Sequence, residues 1–365
     1  MFFLHSTLEY HEQFKTHCSS YKLTISMVLL SNIYARRKSN LLKCAVLLHI
    51  LVITYIVASV RIYSAKLSLY RQKQTNSLSV FYRHATKDRN SSYPFISGDT
   101  FRAFADHIYD ETQNKTFSNV SYGDVIFVKP DTLKGFFSHV YPLINTSIIL
   151  VTHNSDKSAP DTYRTYLSDP KILKWYASNP SELNHSKIFP IPIGLSNARW
   201  PHGNVDRVLY AMKNHRKPWN SRTVLMYINF NIKTNPTERK KALEQANKIQ
   251  NIQRIDKGVS SEKYLEDLGN AKFVLSPPGN GLDCHRTWEA LIMGAVPIVL
   301  RSTLDPLFNN TRTLILDNWS QLTQEYLLSL DFSKNDTILP DVVYAEYWQK
   351  KLFRRHSSWF NFFNF

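Results

Sequence analysis

The chain has 365 residues, 43% of them hydrophobic, with 10 glycines and 16 prolines. This composition excludes a disordered or collagen-like chain and leaves room for two domains of ordinary size. The formal net charge is +16. The basic residues are scattered and match no nucleic-acid-binding motif, so anionic small molecules or glycans are better partners than nucleic acid.

The first feature along the chain is an apolar segment, residues 41–60, in which Lys43 is the one charged residue. A helix of this length spans a bilayer, because it rises about 1.5 Å per residue across a core about 30 Å thick. The late start and the lack of a well-placed cleavage site argue against a removable signal peptide. We therefore predict a transmembrane signal anchor at 41–60, preceded by a cytoplasmic tail, residues 1–40.

Glycosylation signals indicate the orientation of this anchor, which the flanking Lys and Arg residues leave open. Every Asn-x-Ser/Thr sequon follows the apolar segment, at Asn90, Asn114, Asn119, Asn145, Asn184, Asn309, Asn318 and Asn335. Chance is the alternative, since this part is most of the chain and is rich in Asn, Ser and Thr. The pattern favours a single-pass type II protein whose C-terminal part lies in the lumen of the Golgi, or of the endoplasmic reticulum.

A polar, basic stretch, residues 61–90, has little apolar periodicity and is predicted to be a stem. The first lumenal domain is predicted over 91–215. Within it, Asp124–Val128 and Ser147–Thr152 are apolar runs typical of buried strands.

Polar side chains follow the second of these strands, and ligands bind at strand carboxyl ends in open α/β sheets. Asn154 there, and Asn197 in the polar loop 187–203, are candidate contacts for an acceptor. Asp156 and His202 are candidate general bases, in that order. Turn chemistry is the alternative interpretation of Asn154, Asp156 and Asn197.

The second lumenal domain is predicted over 216–345, beginning with a strand at Arg222–Ile228. A helix Pro236–Lys248 follows, because Asn235 is a good N-cap and Pro236 is favoured at the first helical position. Arg239 lies in the first turn, where a cation opposes the helix dipole. It is easier to explain there if it meets a phosphate, although a solvent-exposed charge is the alternative.

Alternating elements continue this domain, with a strand at 252–255, a helix at 261–268 and a further strand and helix within 301–330. The last segment, residues 346–365, is an aromatic tail. It is expected to pack across the first domain, or to serve a partner or the membrane surface.

The most informative stretch is residues 272–300, which has the pattern of a βαβ unit, the framework that binds nucleotides. Strands are predicted at Phe273–Leu275 and Val296–Leu300, and a helix at Cys284–Met293. A Pro/Gly loop, Ser276–Gly281, follows the first strand, and Asp283 is predicted to be the N-cap of the helix.

The residue types in this unit suit the diphosphate of a nucleotide ligand. Gly279 and Gly281, on either side of Asn280, let the backbone approach a ligand, and the helix N-terminus attracts phosphate. Arg286 can hold two phosphate oxygens, and Glu289 can accept two hydroxyls of a ribose or sugar. The alternative is a local ion pair between Arg286 and Glu289 in a structural helix.

Residues 276–299, SPPGNGLDCHRTWEALIMGAVPIV, resemble the donor-sugar motif of exostosin-like glycosyltransferases, glycosyltransferase family 47 and its relatives. The resemblance implies a GT-B fold with two Rossmann-like domains facing a cleft, and a UDP- or GDP-sugar as donor substrate. By position, Arg286 corresponds to the phosphate-binding arginine and Glu289 to the acidic residue that holds the donor. Segments 152–156 and 192–197 are similar to the same group, though more loosely.

The expected activity is sugar transfer to a glycan or glycoprotein, with inversion, which the resemblance suggests. No Asp-x-Asp pair occurs, so we expect the leaving diphosphate to be stabilised without a metal ion or other cofactor. Cys284 is the one lumenal cysteine and fits a packing role better than a nucleophile. The main alternative function is a non-catalytic, membrane-anchored protein that binds glycans or partners on a transferase scaffold. A dehydrogenase is weaker, because the loop lacks a Gly-x-Gly-x-x-Gly pattern.

Overall fold

The structure is a computed structural model that describes residues 49–59, 78–113, 115–334 and 336–353. The chain divides into two compact units, Met1–Gln74 and Thr75–Phe365. In the first unit residues 49–59 are helical. No helix in the described ranges is both long and apolar enough to cross a bilayer. The predicted tail 1–40, residues 41–48 and 60 of the predicted anchor, and residues 61–77 and 354–365 lie outside the described residues.

The described residues of the second unit form ten strands: β1 His107–Tyr109, β2 Val125–Val128, β3 Ile148–Thr152, β4 Ile172–Ala177, β5 Ile188–Pro190, β6 Val224–Ile228, β7 Ile252–Arg254, β8 Ala271–Leu275, β9 Val296–Leu300 and β10 Leu314–Leu316. Its α-helices are α1 Gly98–Phe104, α2 Leu133–Gly135, α3 Val205–Asn214, α4 Pro236–Ala246, α5 Ser261–Asn270, α6 His285–Ile292, α7 Asp305–Phe308, α8 Gln324–Ser329 and α9 Ala345–Phe353. Short helical turns fill several connections, among them Phe136–Val140 and Asp161–Ser168.

The first sheet is parallel throughout and has the strand order β1-β2-β3-β4-β5. Its central strands are buried on both faces, which explains their continuous apolar sequence. Ile126 and Leu150 pack in the core cluster on one face, and Phe127 and Val151 in the cluster on the other. Because the strands follow one another in chain order, this sheet lacks the reversal of direction that a doubly wound Rossmann sheet has.

The second sheet is also parallel, with the order β10-β9-β8-β6-β7. Starting from β6, the chain adds β7 on one side and then returns to add β8, β9 and β10 on the other. This is the flavodoxin-like doubly wound order, and its switch point lies between β6 and β8. The prediction of two parallel α/β domains is therefore confirmed, while the Rossmann-like strand order holds for the second sheet only.

The packed unit begins within the stretch predicted as a stem. Phe81 is 1% exposed and packs on Phe104, with ring centroids 5.7 Å apart. At the other end of the chain, Trp348 of α9 packs edge-on against Phe101 of α1 at 5.6 Å. Helix α9 therefore packs on α1, the helix that covers one face of the first sheet.

Candidate active site

The candidate active site is a cavity of about 450 Å³ at the carboxyl ends of both sheets. From the second sheet, the loops after β6, β7 and β8 reach it, and those after β6 and β8 flank the switch point. From the first sheet, the loops after β3 and β5 contribute Asp156 and Ile193. This is where parallel α/β sheets bind ligands. The structure brings together nine of the eleven predicted site residues here: Asp156, His202, Arg239, Gly279, Asn280, Gly281, Asp283, Arg286 and Glu289.

Two guanidinium groups, those of Arg239 and Arg286, are the main positive charges of the cavity. Arg286 donates from Nε to the carbonyl oxygen of Asn229 at 2.9 Å and from Nη1 to Ser276 Oγ at 3.3 Å. Arg239 donates to the carbonyl oxygens of Pro278 and Asn231 at 2.9 and 2.6 Å. Neither pairs with a carboxylate among the described residues, so both retain charge for an anionic ligand.

The electrostatics of Arg239 reflect this arrangement. The side chain is 5% exposed, and its burial, followed by the neighbouring Arg286 cation, lowers its pKa. Arg239 is thus neither the solvent-exposed charge of the alternative interpretation nor a partner in a salt bridge.

Helix α6 begins at His285, with Cys284 as its N-cap, and no side chain caps it. The prediction that Asp283 is the N-cap is wrong, because its carboxylate accepts hydrogen bonds from other groups. Oδ2 accepts from the N–H of Ile193 and from the indole of Trp288, both at 2.8 Å, and Oδ1 accepts from Cys284 N. Within the described ranges the N–H groups of His285 and Arg286 find no acceptor. They are available for phosphate.

Asp283 lines the cavity, yet both its oxygens are occupied by protein donors. Burial raises its pKa to about 7. Its backbone N–H donates to Asn179 Oδ1 at 3.0 Å, so Asp283 and Asn179 hold the Pro/Gly loop, Ser276–Gly281, against the first domain. Direct donor contact by Asp283 stays a prediction, and its visible role is positioning.

Glu289 lies one helical turn beyond His285 and is 7% exposed. Its Oε2 accepts a hydrogen bond from the hydroxyl of Tyr264, in α5, at 2.7 Å. Burial, followed by the Glu289 charge, raises the pKa of Tyr264, so the phenol stays protonated and donates. No ion pair joins Glu289 to Arg286 in the described chain, and that alternative is therefore wrong. The second oxygen of Glu289 remains for hydroxyls of a ligand.

Each of the two glycines of the Pro/Gly loop makes room for a protein group. A Cβ on Gly279 would lie 2.7 Å from Arg239 Nη2. A Cβ on Gly281 would lie 3.1 Å from Asn179 Nδ2 and 3.4 Å from Asp156 Cα. The glycines thus allow the loop to approach Arg239 and the first domain closely, as well as any ligand.

Asn154 and Asn197 are the two predicted site residues that the structure does not bring into the cavity lining. Asn197 Nδ2 donates to Asn154 Oδ1 at 2.8 Å, and Asn154 Nδ2 donates to Asp99 Oδ1 at 3.1 Å. Asn197 Oδ1 accepts from the N–H of Asp99 at 2.9 Å. Their amides position the loops around the cavity, so acceptor contact through these atoms is not supported.

The sequence did not point to Tyr264 or to His285 as functional side chains. Tyr264 lies 25 residues from its partner Glu289 and has no local motif. His285 occupies the first position of the helix, immediately before Arg286, and a histidine at that position is a sequence signal for a functional side chain. Its Nδ1 lies 2.7 Å from the carbonyl oxygen of Gly194 in the first domain.

The described residues contain no group of three or more His, Cys, Asp or Glu side chains arranged to hold a metal ion. Cys284 is a free thiol in this part of the chain. Its Sγ lies 3.5 Å from the carbonyl oxygen of Pro277 and 3.8 Å from Arg239 Nη2. These contacts place the thiol in the wall of the cavity, beside the Pro/Gly loop.

Comparison with known proteins gives likenesses in structure but none in sequence. No protein-family model matches the chain, and no curated protein matches it. Fifteen chains of solved structures match. The α,α-trehalose 6-phosphate synthase from Burkholderia multivorans has 12% identity and a TM-score of 0.37, over 66% of this chain and 73% of that one. A GtfA/B complex has 14% identity and a TM-score of 0.32, over 64% of this chain and 57% of that chain.

At TM-scores below 0.5 neither likeness bears on what this chain does, and the resemblance to exostosin-like enzymes stays a prediction.

Proposed function

We propose that this chain is a glycosyltransferase that moves a sugar from a UDP- or GDP-sugar to a glycan or glycoprotein. The observation that carries the proposal is that two guanidiniums, those of Arg239 and Arg286, lie beside the open N-terminus of α6 and have no carboxylate partner among the described residues. Both lie at the switch point of the doubly wound sheet. A cradle of this kind suits a nucleoside diphosphate.

The chemistry of sugar transfer assigns a task to each part of the cavity. As the bond between the sugar and the diphosphate breaks, negative charge grows on the leaving phosphate, and Arg239, Arg286 and the α6 N–H groups stabilise it. Glu289, held by Tyr264, accepts hydroxyls of the donor. The acceptor enters from the first-domain side, where Asp156 and His202 lie. We expect attack opposite the leaving group with inversion, as the exostosin-like resemblance implies, and without a metal ion, because the sequence has no Asp-x-Asp pair.

A type II membrane protein of the Golgi, anchored by residues 41–60, is the setting that we propose. Its support is the position of the sequons, all after residue 60. The six sequon asparagines within the described residues are all exposed: Asn90, Asn119, Asn145, Asn184, Asn309 and Asn318. Full-length protein from a glycosylating host should therefore lose mass on treatment with peptide N-glycosidase F. No change in mass would contradict the lumenal orientation.

Direct binding tests the donor assignment. Full-length protein in detergent is titrated with UDP, GDP, UDP-xylose, UDP-galactose, UDP-glucuronic acid and GDP-fucose by calorimetry. We expect one nucleotide class to bind, with its Kd raised about 10²-fold in Arg286→Ala and unchanged in Arg301→Ala. Arg301 is the matched control because it is exposed and paired with Asp305 and Asp317. Folded protein that binds none of these compounds would favour the non-catalytic alternative.

A further inference from the structure

The imidazole of His285 connects the donor-binding helix to the first domain. Its Nδ1 lies 2.7 Å from the carbonyl oxygen of Gly194. A carbonyl oxygen only accepts hydrogen bonds, so Nδ1 carries a proton. The backbone beside Gly194 is tied to the neighbouring segment, since the Leu195 N–H donates to the Ile96 carbonyl oxygen at 2.9 Å. A Cβ on Gly194 would lie 2.3 Å from that oxygen, so only glycine fits there. The tautomer of His285 is therefore set by the backbone of the first domain.

The other ring nitrogen, Nε2, is left for a ligand of the cavity, which His285 lines. It has no hydrogen-bond partner among the described residues, and it is not one of the buried polar atoms sealed from solvent without a partner. His285 lines the cavity together with the donor-binding groups. In a neutral ring whose Nδ1 is protonated, Nε2 bears a lone pair.

The groups around His285 determine its protonation. Burial lowers its pKa below the ordinary value of 6.5, and His202 acts in the same direction. Glu289 on the same helix, Asp156 from the first domain and the Gly194 carbonyl act in the opposite direction but do not outweigh burial. Asp283, Cys284 and Arg286 also line this cavity. The ring is thus neutral near pH 7, the state that a general base needs.

We propose, on the basis of the function proposed above, that His285 is the general base of the transfer reaction. Nε2 takes the proton of the acceptor hydroxyl as its oxygen forms a bond to the anomeric carbon of the donor. The bond from that carbon to the phosphate oxygen breaks, and its electron pair leaves with the nucleoside diphosphate. The imidazolium then gives its proton to solvent, which restores the base.

His285 is a better base than the two residues that the sequence suggests. Asp156 and His202 are exposed, and no protein hydrogen bond among the described residues orients either side chain. Of the three side chains, only that of His285 is held by a protein hydrogen bond in the described chain, from Nδ1 to the Gly194 carbonyl, which leaves Nε2 as its acceptor atom. Precise placement of the base is what acid–base catalysis requires.

The test compares His285→Asn with wild type, using full-length protein and a donor from the panel that wild type turns over. Release of UDP or GDP to water is measured, since water needs the same deprotonation and the natural acceptor is not required. The asparagine amide can still donate to Gly194, but it cannot act as a base. The matched control is His139→Asn, because His139 also bonds a carbonyl, that of Gly135 at 3.2 Å, on the exposed surface away from the cavity lining.

We expect His285→Asn to lower kcat by about 10² to 10⁴-fold, with the nucleotide Kd within about threefold of wild type and His139→Asn unchanged. In wild type, kcat/KM should fall as the pH drops below the ordinary histidine range, because the base becomes protonated. This acid limb should disappear in His285→Asn.

Two results would overturn the proposal while the transferase function stands. One is a His285→Asn variant that keeps wild-type kcat and its acid limb. The other is a variant that loses nucleotide binding as much as turnover, which indicates a positioning role. If wild type itself turns over no donor, the proposed function fails and the assignment of the base fails with it.

Discussion

Arg239 and Arg286 lie over the same aromatic ring, that of Phe230, with guanidinium carbons 5.3 and 5.4 Å from its centroid. Two like charges held this close repel each other, and in the described chain neither has a carboxylate to offset the repulsion. The Phe230 ring compensates in part, since a cation–π contact contributes about 0.5–2 kcal/mol. A bound anion would remove the rest of the penalty, which is why we assign the phosphates of the proposed donor to this pair.

Replacement of Arg286 should weaken nucleotide binding even when the charge is kept. Arg286 uses Nε and Nη1 to hold Asn229 and Ser276, and Lys cannot reproduce that fork. We expect Arg286→Ala to raise the Kd for the bound nucleotide about 10²-fold, as loss of a charge-assisted hydrogen bond does. Arg286→Lys should recover only part of this loss. Calorimetry of both variants measures the Kd. A Lys variant with the Kd of wild type would show that the fork of Nε and Nη1 is not needed for binding.

Gly279 should affect the donor through Arg239. A Cβ at Gly279 meets Arg239 Nη2 at 2.7 Å, and we expect Gly279→Ala to displace that side chain and weaken nucleotide binding about tenfold. A double-mutant cycle decides the cause. If Arg239 carries the effect, Gly279→Ala will add almost nothing in an Arg239→Ala background. Fully additive effects would mean that Gly279 acts on the ligand directly.

The sequence predicted the strands of the site well, for a clear physical reason. Parallel strands covered on both faces need continuous apolar runs, and β3, β6, β8 and β9 each have one. The Gly loop and the following helix were equally legible, because their residue types are locally constrained. Strand order was not predictable, since an apolar run carries no information about its neighbours.

The side-chain partners of the site were the part that the sequence could not supply. His285 and Gly194 are 91 residues apart, and Asp283 and Asn179 are 104 apart. Asn197 reaches Asp99 across 98 residues. These hydrogen bonds depend on how loops from separate strands meet, which no local pattern records. For this reason the sequence predicts Asp283 as an N-cap, whereas its carboxylate accepts from the N–H of Ile193.

Removal of the Tyr264 hydroxyl should disturb Glu289 without unfolding the protein. Tyr264→Phe keeps the ring but leaves Oε2 of Glu289 without its donor at 2.7 Å. Loss of one hydrogen bond to a buried carboxylate destabilises that arrangement by about 1–3 kcal/mol. We therefore expect the Glu289 carboxylate to turn toward solvent. The KM for the donor should rise about tenfold while kcat changes less. A changed kcat with an unchanged KM would contradict the assigned role of Glu289 in holding the donor.

Asp283 should make stability fall as the pH rises. Burial raises its folded-state pKa to about 7, above the ordinary value of 3.8, so the folded protein keeps a proton that the unfolded chain has lost. The stability from this group is complete below pH 3.8 and is lost as the pH rises through 7, by up to about 1.4 kcal/mol per pH unit. Denaturation at pH 5, 6.5 and 8 should show wild type losing stability relative to Asp283→Asn. A stability difference between wild type and Asp283→Asn that stays constant from pH 5 to 8 would contradict a raised pKa of Asp283.

The most direct test of the central claim is donor turnover by full-length wild-type protein in the presence of EDTA. The protein is incubated with each UDP- and GDP-sugar of the panel, and release of free UDP or GDP is followed beside Arg286→Ala and Arg301→Ala. We predict that one donor is turned over, that EDTA does not stop the reaction, and that Arg286→Ala loses activity while Arg301→Ala keeps it. Folded protein that turns over no donor, or an Arg286→Ala variant as active as wild type, would contradict the account.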